Sequence, residues 1–140
     1  MLEVKAKWAG GWKFVGTDSG GRDMKMDASV EAGGEGDGFR PAELPLMGLA
    51  GCTGIDTMEI LQKMRQPVEG LEVRVTAEKV KDGPAGLAGI KVEYVVRGTG
   101  LSAEKVEKAV RLSEEKYCTV GGALSRPTPI THEITIEETS

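Results

Sequence analysis

The length, composition and charge of the chain exclude several classes of protein. Its 140 residues suit a single domain, 1–140, and the balance of 39% hydrophobic and 29% charged residues is that of an ordinary globular chain. The formal net charge of −4 argues against a general nucleic-acid binder, which normally carries a basic patch or stripe. The longest uncharged run, 44–55, is far shorter than the roughly 20 residues that span a bilayer, so no membrane partner is expected. No leader-like apolar segment is recognisable, and the sequence predicts a cytoplasmic protein.

The first third of the chain predicts three short strands. Partial alternation marks the first two, "LEVKAKW" and "GWKFVG", and the Ala9-Gly10 pair between them suits a hairpin turn. The third strand is predicted at "RDMKMDA", after the turn "TDSGG". The glycine-rich acidic segment that follows, 32–38, predicts a flexible connection, because it lacks the Lys and Ser/Thr of a phosphate-binding loop.

A long helix is predicted over 42–66, ending at Pro67. Proline is tolerated in a first helical turn, which accommodates Pro41 and Pro45. Apolar residues lie on nearly every side of its first half, which is typical of a helix buried centrally. Such a helix would span about 36 Å, close to the diameter of a small domain. One chain of this size would struggle to bury it, and the pattern therefore favours a dimer.

The second half predicts a strand pair, a helix and a final strand. Clean alternation marks 71–80 and 88–98 as a long antiparallel pair. Ser102 is a good N-cap for a helix over 102–118, and 130–138 reads as the last strand. The predicted fold is α+β, in the order β-β-β-α-β-β-α-β, with two helices packed on antiparallel sheet.

The residue inventory argues against metal and hydrolase chemistry. His132 is the only histidine and the two cysteines form no CxxC pair, so a closed zinc site would lack ligands. A serine or cysteine hydrolase would need His132 as its base, and no G-x-S-x-G elbow is present. We therefore predict no metal and no cofactor.

Two cysteines remain as candidates for chemistry, and two interpretations of them stay open. Cys52 lies in the most apolar stretch of the chain, where a free cysteine often serves as a small buried hydrophobe. Cys118 ends the second predicted helix. Because the two helices are expected to pack together, the thiols could instead approach within the disulfide limit of about 7 Å between Cα atoms and form a redox pair.

Two segments of the chain resemble the OsmC/Ohr family. The first, "GFRPAELPLMGLAGCTGIDTMEILQKMRQP", is similar to the signature around the family's first cysteine, and the second, "AVRLSEEKYCTV", is similar to its second-cysteine segment. Within the family, the sequence around the first cysteine is most similar to the YhfA-like branch. This resemblance implies an intertwined homodimer with active sites at the subunit interface and thiol-dependent reduction of organic hydroperoxides. Cys52 would be the peroxidatic cysteine and Cys118 the resolving cysteine, with an external dithiol restoring both.

The resemblance also suggests an arginine and a glutamate for the site. Arg22 stands in the family's "GGRD" context, and Arg40, just before the helix, is the rival guanidinium. The family's glutamate falls at Ala42, so the adjacent Glu43 is the candidate acid, with Asp56 as the alternative on the Cys52 face of the helix.

A second function is compatible with the same fold. The protein could be a dimeric binding protein with an apolar pocket at its interface and cysteines that take no part in catalysis. Consumption of cumene hydroperoxide with a dithiol, lost in Cys52→Ser, distinguishes the peroxidase from the binding protein.

Overall fold

A computed structural model describes residues 1–139 of the chain. Within them lie two antiparallel sheets and three α-helices, in the order β-β-β-α-β-β-α-α, so the α+β class predicted from sequence is confirmed. The first sheet contains β1 (Lys5–Trp8), β2 (Phe14–Thr17) and β3 (Asp23–Met26), and the second contains β4 (Val68–Lys79) and β5 (Leu87–Gly98). The helices are α1 (Leu44–Lys63), α2 (Ala103–Leu112) and α3 (Thr119–Ser125).

The N-terminal sheet is an antiparallel meander, as the alternating segments predicted. Phe14 in the central strand pairs with Trp8 on one side and Met26 on the other. Gly10 and Gly11 adopt φ of 96° and 55° in the β1–β2 turn, a region that favours glycine. No residue of the three strands is buried, and the sheet does not pack broadly on the helices among the described residues. It therefore lacks a core of its own.

The glycine-rich loop after β3 is organised by one carboxylate, contrary to the flexible connection expected from its composition. Asp27 is only 2% exposed and accepts hydrogen bonds from the backbone N–H groups of Ala28, Glu35 and Asp37 at 2.8, 3.0 and 3.1 Å. A Cβ on Gly34 would overlap the Ala28 carbonyl, so the loop needs glycine there. Composition alone misses this order because it does not relate Asp27 to the backbone N–H groups of Glu35 and Asp37, eight and ten residues later.

We expect Asp27→Asn to lower the thermal midpoint at pH 7, because an amide nitrogen cannot accept the bonds that the carboxylate accepts. The backbone N–H of Asp37, followed by those of Glu35 and Ala28, holds the pKa of Asp27 below its ordinary value. A lowered folded-state pKa gives stabilisation that is present above the unfolded pKa of about 3.9 and is lost as pH falls through the folded value. Thermal denaturation from pH 7 to pH 3 should show the wild-type advantage shrinking below about pH 4. Asp82→Asn, an exposed site in the β4–β5 connection, is the control and should show no such difference.

Helix α1 begins and ends inside the predicted range 42–66. Pro41–Glu43 forms a 3-10 turn instead of helix, and the last residue before the C-cap is Lys63. One face of α1 is buried, through Leu49, Thr53, Thr57 and Leu61. The opposite face is open, and Ile55 is 70% exposed. The central burial expected for this helix is therefore not achieved within the single chain.

The second sheet forms as predicted and carries α1. β4 and β5 are each 12 residues long and antiparallel, and their alternating exposure matches the period of the sequence. α1 packs against β4 on one side and also contacts α2 and α3. A Cβ on Gly54 would lie 3.5 Å from Val73 Cγ2, an ordinary van der Waals distance, so α1 packs directly on β4 at this position.

The C-terminal third corrects two predictions. Ser102 caps α2 as expected, its Oγ accepting from the Lys105 N–H at 3.3 Å, but the predicted helix 102–118 changes at Ser113–Tyr117 into a π-helical turn. The short helix α3 follows, in the interval between the predicted second helix and the predicted last strand. The strand predicted at 130–138 is not formed within the subunit. Its alternation is real, but a strand also needs a sheet edge to pair with, and this segment pairs with no strand among residues 1–139.

The subunit exposes far more surface than a compact domain of its mass. Its accessible area is 11044 Å², against about 7,000 Å² expected for a folded monomer of 14.9 kDa. Exposed aliphatic side chains in the C-terminal segment contribute, with Ile130, Ile134 and Ile136 at 95, 79 and 82%. Among the described helices none is long and apolar enough to cross a membrane.

Candidate active site

The two cysteines lie close together, on different elements. Cys52 is half-buried near the middle of α1. Cys118 is 7% exposed and lies between the π-turn and α3, where its Sγ accepts the Gly121 N–H at 3.3 Å. Both are free thiols. Cys118 thus caps α3 and does not end the second helix, yet the packing of α2, the π-turn and α3 on α1 brings it beside Cys52.

The charge environment of Cys118 identifies its neighbours. Burial raises the pKa of the Cys118 thiol, the Gly121 N–H lowers it, and the adjacent Cys52 and Asp56 raise it. Asp56 follows Cys52 by one helical turn, and its Oδ2 is buried without a hydrogen-bond partner among the described residues. The two thiols are therefore neighbours, and Asp56 is near enough for its charge to act on Cys118; we call Cys52, Cys118 and Asp56 the thiol cluster.

A buried hydrogen-bond network adjoins the thiol cluster. Thr53 Oγ1 lies 2.7 Å from Ser113 Oγ and 2.8 Å from Tyr94 Oη. Tyr94 Oη donates to Glu114 Oε2 at 3.0 Å, and burial raises the pKa of Tyr94 to about 12. Thr53 and Ser113 are almost fully buried, at 1 and 0% exposure. Sequence reasoning missed this network, because nothing in the spacing relates residues 41 and 60 positions apart.

The other sequence-predicted site residues lie away from the cysteines of their own subunit. The Arg22 side chain is 84% exposed, and its Nη1 lies 3.3 Å from Asp18 Oδ2. Glu43 is exposed and its Oε2 lies 3.8 Å from Arg40 Nη1. Nine residues of helix separate Glu43 from Cys52, a rise of about 13 Å. Among residues 1–139 no arginine or lysine forms an ion pair with Asp56.

The structure offers no metal centre in the part of the chain that it describes. No group of three or more His, Cys, Asp or Glu side chains is close enough there to hold an ion. His132 belongs to the exposed C-terminal segment, 14 residues after Cys118. The chemistry available at the site is therefore that of thiols, a carboxylate and hydroxyl groups.

Comparison with known proteins decides the family. The family model described as OsmC-like protein matches residues 34–133, which include both cysteines. The chain belongs to the OsmC-like family. The resemblance found in the sequence is thereby confirmed. This OsmC-like chain is also 37% identical over 132 residues to protein YhfA of Escherichia coli K12, covering 94% of the chain and 95% of YhfA.

Solved structures share the fold of this OsmC-like protein. A hypothetical protein from Aquifex aeolicus VF5 superposes with a TM-score of 0.77 at 29% identity, over 89% of this chain and 87% of that one. An organic hydroperoxide resistance protein OsmC from Legionella pneumophila superposes with a TM-score of 0.65 at 21% identity, over 88% of each chain. The second likeness concerns the fold alone.

Proposed function

We propose that this OsmC-like protein is a cytoplasmic thiol peroxidase that reduces organic or lipid hydroperoxides in defence against oxidative stress. The observation that carries the proposal is the thiol cluster, in which two free cysteines from different elements lie beside one carboxylate. The name of the Legionella structure associates this fold with organic hydroperoxide resistance. The apolar residues around Cys52 suit a peroxide with a hydrocarbon tail better than hydrogen peroxide.

The proposed catalytic cycle uses only the two cysteines, the peroxide and an external dithiol, and no cofactor. The Cys52 thiolate attacks one peroxide oxygen, the O–O bond breaks, and the departing alkoxide takes a proton from solvent, so the products are a Cys52 sulfenic acid and an alcohol. Cys118 then attacks the Cys52 sulfur, the S–S bond forms, and hydroxide leaves and takes the Cys118 proton as water. An external dithiol is oxidised to its disulfide as it returns both cysteines to thiols.

The proposed acidic group and the proposed cation at the site belong to different chains. Asp56 is the acidic group next to the thiols within the subunit, whereas Glu43 acts only if it reaches Cys52 of the partner subunit. Arg22 likewise serves Cys52 of the partner subunit, because the N-terminal sheet makes no broad contact with α1 of its own chain. Its guanidinium would stabilise negative charge on the departing alcohol oxygen.

An intertwined homodimer explains the open surface of the subunit. The accessible area of one chain exceeds that of a compact monomer by about 4,000 Å², which is about 8,000 Å² for two chains and more than the roughly 2,000–5,000 Å² that obligate interfaces commonly bury. An interface alone can therefore cover a large part of this open surface. The open face of α1 lines an apolar groove with β4 that includes Gly51, Ile55 and Val73. The N-terminal sheet, which has no core of its own, would find one on a second copy.

We expect a dimer mass by light scattering at micromolar concentration, and Ile55→Glu should shift it toward the monomer. A carboxylate at the centre of the apolar groove would be desolvated without a partner, which strongly opposes association. A monomer mass for the wild-type protein would contradict the dimer.

The second candidate function is a dimeric binding protein that uses the apolar groove and leaves the cysteines idle. The absence of an ion-paired cation at Asp56 within the described subunit favours it. A steady-state assay with cumene hydroperoxide, hydrogen peroxide and a dithiol separates the two functions. Turnover that prefers the organic peroxide supports the peroxidase, and no turnover with either peroxide leaves the binding protein.

A further inference from the structure

We infer that Thr53, Ser113, Tyr94 and Glu114 form a hydrogen-bond clasp that holds Cys118 in place to close a disulfide with Cys52. These four are positioning residues and do not touch the reacting oxygen. The inference deepens the proposed function and rests on it for its biological purpose. The supporting observation is a series of hydrogen bonds that connects Thr53, the residue next to Cys52, with the backbone of Cys118.

The direction of every bond in the clasp follows from counting protons. Glu114 as a carboxylate only accepts, so the single O–H of Tyr94 is used at the 3.0 Å contact between them. Thr53 must then be the donor at its 2.8 Å contact with Tyr94 Oη. The Thr53 proton is thereby used, so Ser113 donates at the 2.7 Å contact with Thr53 Oγ1. The clasp runs in one direction, from Ser113 through Thr53 and Tyr94 to a charge at the surface.

The clasp connects to both cysteines through covalent and backbone links. Thr53 follows Cys52 directly on α1. Ser113 Oγ donates its one proton to Thr53 Oγ1 at 2.7 Å and shares it with the Thr53 carbonyl at 3.3 Å, so the two contacts make one link. The Ser113 carbonyl accepts the Cys118 N–H at 2.8 Å. Loosening the clasp therefore removes the side-chain hydrogen bonds that fix the π-turn, and with it Cys118, against α1, while the packing of α2 and α3 on α1 remains.

Packing alone does not require these hydroxyl groups. Replacing both partners of a buried hydrogen bond by apolar groups of the same shape is often nearly neutral, whereas a fully satisfied polar network fixes one arrangement. π-helical turns are also rare and occur frequently at functional sites. A clasp that fixes the distance between two thiols raises their effective concentration for each other, and so favours the disulfide.

The test is the equilibrium of the Cys52–Cys118 disulfide in glutathione redox buffers, read by counting free thiols after acid quenching. Thr53→Val keeps the shape and removes the central hydroxyl. We expect its equilibrium constant for disulfide formation to fall at least about tenfold, which is a potential about 30 mV less negative. Thr53→Ser restores the hydroxyl and should stay within about twofold of the wild type, a difference near 9 mV.

Thr57→Val is the matched control. Thr57 is one turn further along α1 and equally buried, and its Oγ1 has no hydrogen-bond partner among the described residues. This variant also removes a buried threonine hydroxyl but leaves the clasp intact, so its disulfide equilibrium should equal that of the wild type. If Thr53→Val fails to fold, Tyr94→Phe replaces it, with an expected loss of at least about threefold, or about 14 mV.

The glutathione equilibrium is measured without any peroxide. The result for the clasp is therefore independent of the result for peroxidase activity. A shifted equilibrium in a protein that consumes no hydroperoxide would support the clasp and overturn the peroxidase. Wild-type values in Thr53→Val and Tyr94→Phe would overturn the clasp, whatever the peroxidase assay shows. A wild-type protein that forms no disulfide between these cysteines would overturn it as well.

Discussion

Replacement of Cys52 by serine should reduce hydroperoxide consumption at least about a hundredfold, because a neutral hydroxyl is a far weaker nucleophile than a thiolate. The variant keeps the size of the side chain on α1, so the dimer mass and the thermal midpoint should change little. The measurement is the rate of cumene hydroperoxide loss with saturating dithiol. Undiminished consumption would place the chemistry elsewhere.

Cys118→Ser is the matched variant, since it removes the second thiol and leaves the first. Cys52 should still react once with peroxide, and its sulfenic acid should persist because no thiol lies beside it to condense. Dimedone labelling of Cys52 should therefore be strong in Cys118→Ser and weak in the wild type. Equal labelling in both would show that Cys118 does not resolve the sulfenic acid.

Arg22→Ala should lower peroxide consumption at least about tenfold while leaving the dimer intact, if the guanidinium reaches Cys52 of the partner subunit. A lower pKa of the Cys52 thiol would not by itself account for a tenfold increase in rate. An ordinary thiol is about 3% ionised at pH 7, and lowering its pKa by two units gains roughly 25-fold in thiolate. If the dependence known for disulfide exchange holds, roughly 6- to 10-fold of nucleophilicity is lost in return. Stabilisation of the developing negative charge must therefore provide most of the effect.

Arg40→Ala is the control for Arg22→Ala, because it removes an exposed guanidinium close in sequence to α1. Its ion pair with Glu43 spans 3.8 Å between exposed side chains, and such pairs contribute little to stability. We expect near wild-type activity. A loss confined to Arg40→Ala would exchange the two assignments, while equal activity in Arg22→Ala and wild type would remove Arg22 from the site.

Sequence predicted those parts of the fold that depend on local periodicity. The alternation in 71–80 and 88–98 has the period of a strand, and β4 and β5 form there. Glycines in the β1–β2 turn and the cap at Ser102 also act on neighbouring residues only. The strand predicted at 130–138 does not form, because alternation indicates which side chains share a face but not whether a neighbouring strand is available for pairing.

The site was less accessible to sequence reasoning. The resemblance identified Cys52 and Cys118, but the acid beside them could not be chosen between Glu43 and Asp56 without the helix boundary near Leu44. The bond between Thr53 and Ser113 joins residues 60 positions apart, which no spacing rule relates. An aspartate directly before the glycine-rich segment was a signal of an ordered loop, since aspartate readily accepts nearby backbone donors, here those of Ala28, Glu35 and Asp37.

The central claim is that Cys52 and Cys118 together reduce one organic peroxide. Its most direct test is titration of the reduced protein with one equivalent of cumene hydroperoxide per subunit, without any reductant. We predict that both free thiols disappear, that peptide mapping finds a Cys52–Cys118 disulfide, and that one equivalent of the alcohol forms. Unreacted peroxide with both thiols still free would contradict the claim.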